Sequence, residues 1–507
     1  MILKGRNLMK KHALLCLILV SALLSSGVFM TSCSEKAASG DPDETAAATG
    51  GDVGPADAGE DDISPDEPTV FAADIPAGTD LGGYEFRILV YDESNSVWRD
   101  ADFFAEEYTG DILNDAVYER LLTVEDLLNV DVSTRPEAAY CYSPMYNSIQ
   151  SGDNAYDVGM IGMQDSFKLA EKSMLHDLRT IEAFELNAPW WDQNCVSQLS
   201  VAGHNFQITG DISILYRKSI RVLYYNKALG NDYGVESPYV MVDEMTWTAD
   251  ALTKLCSAVS ADLDGNGKYD QNDRYGIVYS SGTAPIVFVA SGVSYATKDD
   301  DDLPVLTFYD EKTVSVWEKY ADLLFDEQIA ANCSAKGWAY EDMFIADQGL
   351  FCCMELHHVE GLREMDNDFG ILPIPLFDES QDAYHVMVNV GPAAVVCIPV
   401  TNLETERTSW VLDALGAEGK NTLTPAYYDR YLMGKSARDV ESQNSLEIIF
   451  NSVLYDIGAC YNWGGIADLP YNLLSAGSRD IASSYQKIEK LANKTLARTV
   501  DGFLNGD

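Results

Sequence analysis

The sequence predicts an α/β fold arranged as two lobes, and three observations predict it. Strand-length apolar runs alternate with segments whose apolar residues recur at helical spacing, the pattern of successive strand-helix-strand units. Roughly 430 residues follow an acidic segment ending near Gly78, more than one hydrophobic core usually serves. That segment, from Ser34 to about Gly78, is rich in Ala, Gly, Asp, Glu and Pro, holds almost no large apolar residue before Val70 and Phe71, and cannot bury a core.

Ahead of it, a basic start (Lys4, Arg6, Lys10, Lys11) precedes an apolar run from Ala13 to Met30 and the tetrad Met30-Thr31-Ser32-Cys33. This resembles a bacterial lipoprotein signal: small residues precede the cut, and Cys33 becomes the lipidated N-terminus. An uncleaved transmembrane anchor is the alternative, and either way the body works outside the cytoplasm. Gly50-Gly51, Pro55, Gly59 and the run Glu60-Asp61-Asp62 then read as a self-repelling, extended tether.

In the body, Glu85 to Tyr91 (EFRILVY) reads as a strand, and Ile112 to Leu128 as an amphipathic helix with its apolar face at Leu113, Ala116, Val117, Leu121, Val124 and Leu128. Val130 to Val132 starts the next strand, Asp157 to Ile161 is another, and Ser166 to Leu178 is a helix; such units predict a parallel sheet. Further strands are expected at Ile220 to Asn226, Leu350 to Met354, Phe369 to Leu372 and Ala393 to Ile398. Helices are expected at Ala249 to Val259, Thr313 to Phe325 and Thr405 to Leu415. No internal repeat is evident.

A net charge of −46 argues against nucleic acid and anionic lipid surfaces, which need a basic face, and favours a neutral or cationic ligand. Past Cys33 there are eight cysteines, Cys141, Cys195, Cys256, Cys333, Cys352, Cys353, Cys397 and Cys460, none in a CxxC pair of metal-site spacing. Most read as buried small hydrophobes, with one disulfide as the alternative in an oxidising exterior.

The order Gly110-Asp111-Ile112-Leu113-Asn114-Asp115-Ala116-Val117-Tyr118-Glu119-Arg120, Pro189-Trp190-Trp191-Asp192, Thr209-Gly210-Asp211-Ile212-Ser213, Tyr224-Tyr225-Asn226-Lys227 and Asp368-Phe369-Gly370-Ile371-Leu372-Pro373 resembles extracellular solute-binding lipoproteins of ABC importers. The resemblance is to the sugar-type proteins of Gram-positive bacteria and, more distantly, to maltose-binding proteins. It implies a type II periplasmic-binding-protein clamp: two discontinuous α/β lobes joined by a hinge, a solute held between them, and delivery to the transmembrane subunits of an ABC permease. By position it implies a signal peptide at 1–32, a lipidated cysteine and linker at 33–78, a first lobe from 79–218 and 387–428, and a second from 219–386 and 429–507. It also implies a monomer. The analogy gives the class, not the ligand.

A sugar cleft needs aromatic plates for the apolar faces of the rings and fixed polar groups for the hydroxyls. Trp191, Trp338, Tyr340 and Trp463 are the expected plates, since each stands beside polar residues in a loop-like stretch. Gln164 and Asp165 follow the strand ending near Ile161, where ligands of open α/β sheets sit, and Asp211, Glu355, His357 and Asn389 each follow or end an apolar run. Each has a plainer rival: a Trp such as Trp190 is core packing, Asp211 shapes a turn after Gly210, and His357-His358, lacking a partner at recognisable spacing, is a surface or helix-start pair rather than a zinc ligand.

Asp262-Leu263-Asp264-Gly265-Asn266-Gly267-Lys268-Tyr269-Asp270-Gln271-Asn272-Asp273 resembles an EF-hand-type calcium loop. Oxygens would come from Asp262, Asp264, Asn266, the Lys268 carbonyl, Asp270 and Asp273, with Gly267 at the sharp turn. The loop ends in Asp rather than Glu, as dockerin-type loops do, and no second loop pairs with it. Structural calcium is expected, with a solvated acidic loop as the alternative. GxSxG, HExxH and comparable arrangements are absent, so no enzyme is expected. A secreted carbohydrate-active enzyme and a calcium-loop adhesion or scaffold protein stand as alternatives to solute capture. The aromatics favour an oligosaccharide, with peptides and other polar solutes as alternatives.

Overall fold

The computed structural model describes residues 69–505 apart from 100, 364 and 433–439, within a compact unit spanning Pro68–Asp507. Cys33, the signal segment before it and the linker as far as 68 lie outside the described residues. The body runs through β1 (Tyr84–Tyr91), β2 (Val130–Glu137), β3 (Val158–Gly162), β4 (Arg221–Asn226), β5 (Tyr275–Tyr279), β6 (Ala330–Asn332), β7 (Gly349–Glu355), β8 (Phe369–Leu372) and β9 (Ala394–Cys397), which form two sheets. One has the order β9-β3-β1-β2, the other β8-β4-β7-β5-β6.

The expected parallel sheet holds for β1, β2 and β3, and β5 is likewise parallel to β6 and β7. β9 instead runs antiparallel to β3, and β4 antiparallel to β7 and β8. The reason is the route of the chain. β4 and β9 both follow a passage between the sheets, so they enter at the edge where the parallel strands end and must run away from it. The two passages lie side by side: Ile220 and Val388 form an antiparallel bridge, and the Asn389 amide donates to the Ser219 carbonyl at 3.1 Å. This is a two-lobed α/β architecture.

Local chemistry fixes the elements that position the junction. The helix Ile112–Leu128 starts where Asp111 accepts from the Leu113 and Asn114 amides and stops at Asn129, whose left-handed backbone (φ 49°) ends the turn. It buries Val117, Leu121, Val124 and Leu128 and packs beside the helix Thr405–Asn421. Its buried Arg120 donates to the Ile212 and Asp102 carbonyls, so two of the motifs read in sequence meet in space. Gly210 is needed because a Cβ there would lie 2.2 Å from the Trp190 carbonyl oxygen. In the second sheet, Asn226 ends β4 by capping the next helix through Leu229 and donating to Asp347 at 2.6 Å.

Expected helices at Ile112–Leu128 and Ala249–Val259 form over those spans, and the one expected from Thr313 occupies Glu311–Leu324. That expected over Ser166 to Leu178 is instead Met163–Ala170, with a separate turn at Leu178–Thr180. The eight described cysteines are buried thiols. Among the described residues no helix is long and apolar enough to cross a membrane.

Candidate functional site

The C-terminal ends of both sheets face the junction, and the groups collected there form the candidate site. β4 begins at Arg221 directly opposite Glu355, the last residue of β7. The guanidinium and carboxylate approach to 2.6 Å, both nearly buried. Gly282 leaves room for this pair, since a Cβ there would lie 2.8 Å from the guanidinium. Asn389, on the returning passage, donates to the same carboxylate at 3.1 Å, which ties the second lobe to the chain re-entering the first.

Beyond Glu355 the chain turns into a short 3-10 helix, Leu356–His358. His358 Nε2 faces Glu355 Oε2 at 3.7 Å, and its Nδ1 meets Glu341 at 3.2 Å. His357 lies against His358, ring centroids 4.0 Å apart, and meets the edge of Trp98 at 4.6 Å. Trp98 ends the short 3-10 helix Glu93–Trp98 that follows β1, so this contact joins the lobes. Tyr340 packs on His358 at 5.7 Å.

The electrostatics follow from burial and charge. Burial opposes the Glu355 charge, but Arg221 and then His358 outweigh it and hold the carboxyl down to about 2. Burial and the neighbouring His358 depress His357 to about 4. His358 moves up instead, because its bonds to Glu341 and Glu355 outweigh its own burial.

On the facing lobe, Tyr140 and Tyr142 follow the end of β2, and the Gly162 amide at the end of β3 donates to the Tyr140 carbonyl at 3.1 Å. Tyr142 stacks on Tyr146 and lies under Lys168, which pairs with Asp165 at 2.6 Å. Gln164 reaches across, donating to the Ala459 carbonyl at 3.1 Å, and Phe167 meets Tyr461 edge-on at 4.5 Å. Thus Gln164, Asp165, Tyr340, Glu355, His357 and Asn389, all expected from sequence, lie at the junction. Trp98, Tyr140, Tyr142 and Arg221 were missed. The strand-end rule that found Gln164, applied also at the ends of β1 and β2, would have found the three aromatics.

Comparison by sequence with protein-family models and with curated proteins gives no match. Comparison with solved structures does. An ABC substrate-binding protein of Listeria monocytogenes in complex with cycloalternan aligns over 82% of this chain and 99% of its own, at 14% identity and TM-score 0.55. The maltose/maltodextrin-binding domain MalE from Bdellovibrio bacteriovorus, bound to maltotriose, aligns over 82% and 100% at 13% identity and TM-score 0.51. UgpB from Mycobacterium tuberculosis, in complex with glycerophosphocholine, aligns over 83% and 99% at 15% identity and TM-score 0.53. The chain has the solute-binding-protein fold.

Within this solute-binding fold, four expected contact residues have other tasks. Trp191 is only 2% exposed, stacks on Phe184 and donates to Asp413 at 2.9 Å, as Trp190 does at 3.2 Å. It is a core residue of the first lobe, not a plate. Asp211, 4% exposed, is consumed by Arg217, Lys420 and Thr424 at 2.9, 3.2 and 2.8 Å. Trp338 packs on Tyr275 under Lys336. Trp463 is 3% exposed, stacks face to face on Tyr461 and donates to Thr499 at 2.9 Å. It borders a cavity of about 580 Å³ between the helices Met163–Ala170 and Ile481–Asn505, with Glu171, Lys172 and Arg498.

The acidic loop closes on itself through the Gly267 amide on Asp262 and the Leu263 amide on Asp273. Oxygens of Asp262, Asp264 and Asp273 lie within 4.8 Å of one another. Two oxygens bound on opposite sides of a calcium ion at about 2.4 Å would be about that far apart. Asp273 is fully buried, its oxygens accepting from the Leu263 and Asp270 amides, and Gly267 turns with φ +79°. Asn266 Oδ1 accepts from the Lys268 amide, while Asp270 is turned to Asn272. Three of the expected ligands therefore converge, and Asp270 stands aside, at the ninth loop position where a water commonly bridges.

Proposed function

We propose that this chain is the extracellular solute-binding component of an ABC importer, capturing an oligosaccharide between its lobes and handing it to the permease. One observation carries the reading: the strand ends of both sheets meet, with half-buried aromatics (Trp98, Tyr142, Tyr340) and fixed polar groups (Gln164, Glu355, Asn389) from both lobes at one junction. Aromatic faces and carboxylate or amide groups are what a pyranose needs. Two neighbours of this fold are named as binding proteins or domains, one in complex with cycloalternan and one bound to maltotriose, which supports capture without covalent chemistry. Solute touching both lobes favours the closed arrangement by its differential affinity for it. Lipid on Cys33 and the acidic tether would hold a monomer at the outer face of the membrane and raise its concentration near the permease.

The test is thermal unfolding of the full chain against a panel of oligosaccharides, peptides and phosphodiesters, with calcium held constant. A ligand at about 100 times its Kd adds about 2.7 kcal/mol of stability. One glycan class is expected to raise the melting temperature, and Trp98→Ala to weaken that glycan roughly tenfold, about 1.4 kcal/mol. A shift with peptides alone replaces the sugar; silence across the panel overturns capture in favour of the scaffold reading.

We further propose that the loop Asp262 to Asp273 holds structural calcium through Asp262, Asp264, Asn266, the Lys268 carbonyl, Asp273 and, through water, Asp270. Chelation is expected to lower stability by about 2–3 kcal/mol from a state with calcium about 100-fold above its Kd. Asp264→Asn should abolish most of that difference. Identical melting curves with and without chelator would leave the loop a solvated acidic turn.

A further inference from the structure

We propose that Glu355, His357 and His358 form a binding site for a divalent transition-metal ion, with zinc the best match, at the junction of the lobes. The two adjacent histidines have no signature spacing in the sequence. The fold supplies what was missing.

One ligand atom from each of the three residues lies within 4.8 Å of the others. Two imidazoles and a carboxylate make an N2O set that suits zinc and its neighbours rather than calcium or magnesium, which take oxygen. Around an ion with bonds near 2.1 Å, tetrahedral ligands stand about 3.4 Å apart, so binding requires the side chains to draw in by up to about 1.4 Å. Two of the three belong to one short helical turn and the third immediately precedes it, so rotamer adjustment suffices.

Independent support comes from the groups behind the ligands. Metal-bound histidine ordinarily has its second nitrogen fixed by a carboxylate or carbonyl, which sets tautomer and ring orientation. His358 has this arrangement: Glu341 meets Nδ1 at 3.2 Å while Nε2 is turned toward Glu355 Oε2. The carboxylate is oriented in the same way, because Arg221 and Asn389 both bond Oε1 and leave Oε2 directed at the histidine. Trp98 of the facing lobe lies against His357, so an ion here would stiffen the surface on which the lobes meet. The nearby Arg221 charge opposes a cation, so affinity is expected to fall below that of closed structural zinc sites.

The experiment is titration calorimetry of chelator-stripped full chain with zinc chloride in saturating calcium, paired with cobalt(II) absorption. The expected result is one equivalent bound at micromolar Kd, weakened at least 30-fold in His357→Ala and unchanged in Asp264→Asn, with a cobalt d–d spectrum free of thiolate charge transfer. His357→Gln, which keeps the side chain's bulk, repeats the measurement should the alanine variant fold poorly. Absence of binding, binding indifferent to both His357 variants, or a thiolate band would each overturn the proposal and leave these residues an ion-pair network.

Discussion

Asp413→Ala is expected to lower the unfolding free energy by roughly 3–5 kcal/mol, among the largest losses from any single substitution in the first lobe. Asp413 is a buried residue of the helix Thr405–Asn421, and its carboxylate accepts from the indole nitrogens of Trp190 and Trp191 and from the Glu185 amide. Alanine strands two buried indole donors and a part-buried amide and leaves a void beside two large rings. Asp413→Asn retains an acceptor oxygen and should lose about 1–2 kcal/mol. Chemical denaturation of the three proteins at pH 5.5 decides the matter; equal stability for Ala and Asn would mean that water or another group satisfies the indoles.

The same residue makes a pH prediction. Burial pushes the Asp413 carboxyl up to about 7, against three N–H donors that favour the charge. A carboxyl raised in the folded state keeps its proton there after the unfolded chain has lost it. Its contribution is therefore greatest below the ordinary carboxylate pKa and declines as pH rises from about 4 to about 7, by at most about 4 kcal/mol. The stability difference between the natural chain and Asp413→Asn should shrink or reverse over that interval, and a difference flat in pH would show that the donors hold the carboxyl ionised throughout.

These residues also show what the sequence could and could not reveal. The helices Ile112–Leu128 and Ala249–Val259 were legible because their starts are chemical: Asp111 and Thr248 cap them, and apolar residues recur behind the caps. Glu355 and Gln164 were legible because strand ends are where α/β sheets present ligand groups. Trp191 misled because its partner, Asp413, is 222 residues away in the chain, and a Trp beside an Asp looks the same whether it lines a cleft or a core. Asp211 misled for the same reason, its partners Lys420 and Thr424 arriving from a helical region after the second passage. Trp98 was missed because its role depends on His357 in the other lobe, and no local periodicity encodes a contact across a junction. Charge pairing over long separations is the information that composition and spacing lack.

Arg221→Met is expected to destabilise the chain by about 3–5 kcal/mol, since it leaves the buried Glu355 carboxylate without its guanidinium. Methionine fills the alkyl volume, so the loss reports charge rather than a cavity. Neither Asn389 nor His358 can replace the arginine: the amide is a neutral donor at 3.1 Å, and the imidazole is shared with Glu341. Glu355→Gln in the Arg221→Met background removes the stranded charge and should restore most of the stability, whereas Glu355→Gln alone leaves a buried arginine and should be worse than the double variant. A double-mutant cycle by denaturant unfolding measures the coupling. Additive losses would show that the two groups are hydrated separately despite their 2.6 Å approach. Strong coupling has a consequence for the junction as well. Glu355 ends β7, Arg221 begins β4 and Asn389 lies on the returning passage, so the pair fixes the angle at which both passages leave the second lobe. Weakening it should loosen the lobes' mutual orientation before it unfolds either sheet, which hydrogen exchange would register as faster opening of the Asn389 amide than of the buried amides of β1.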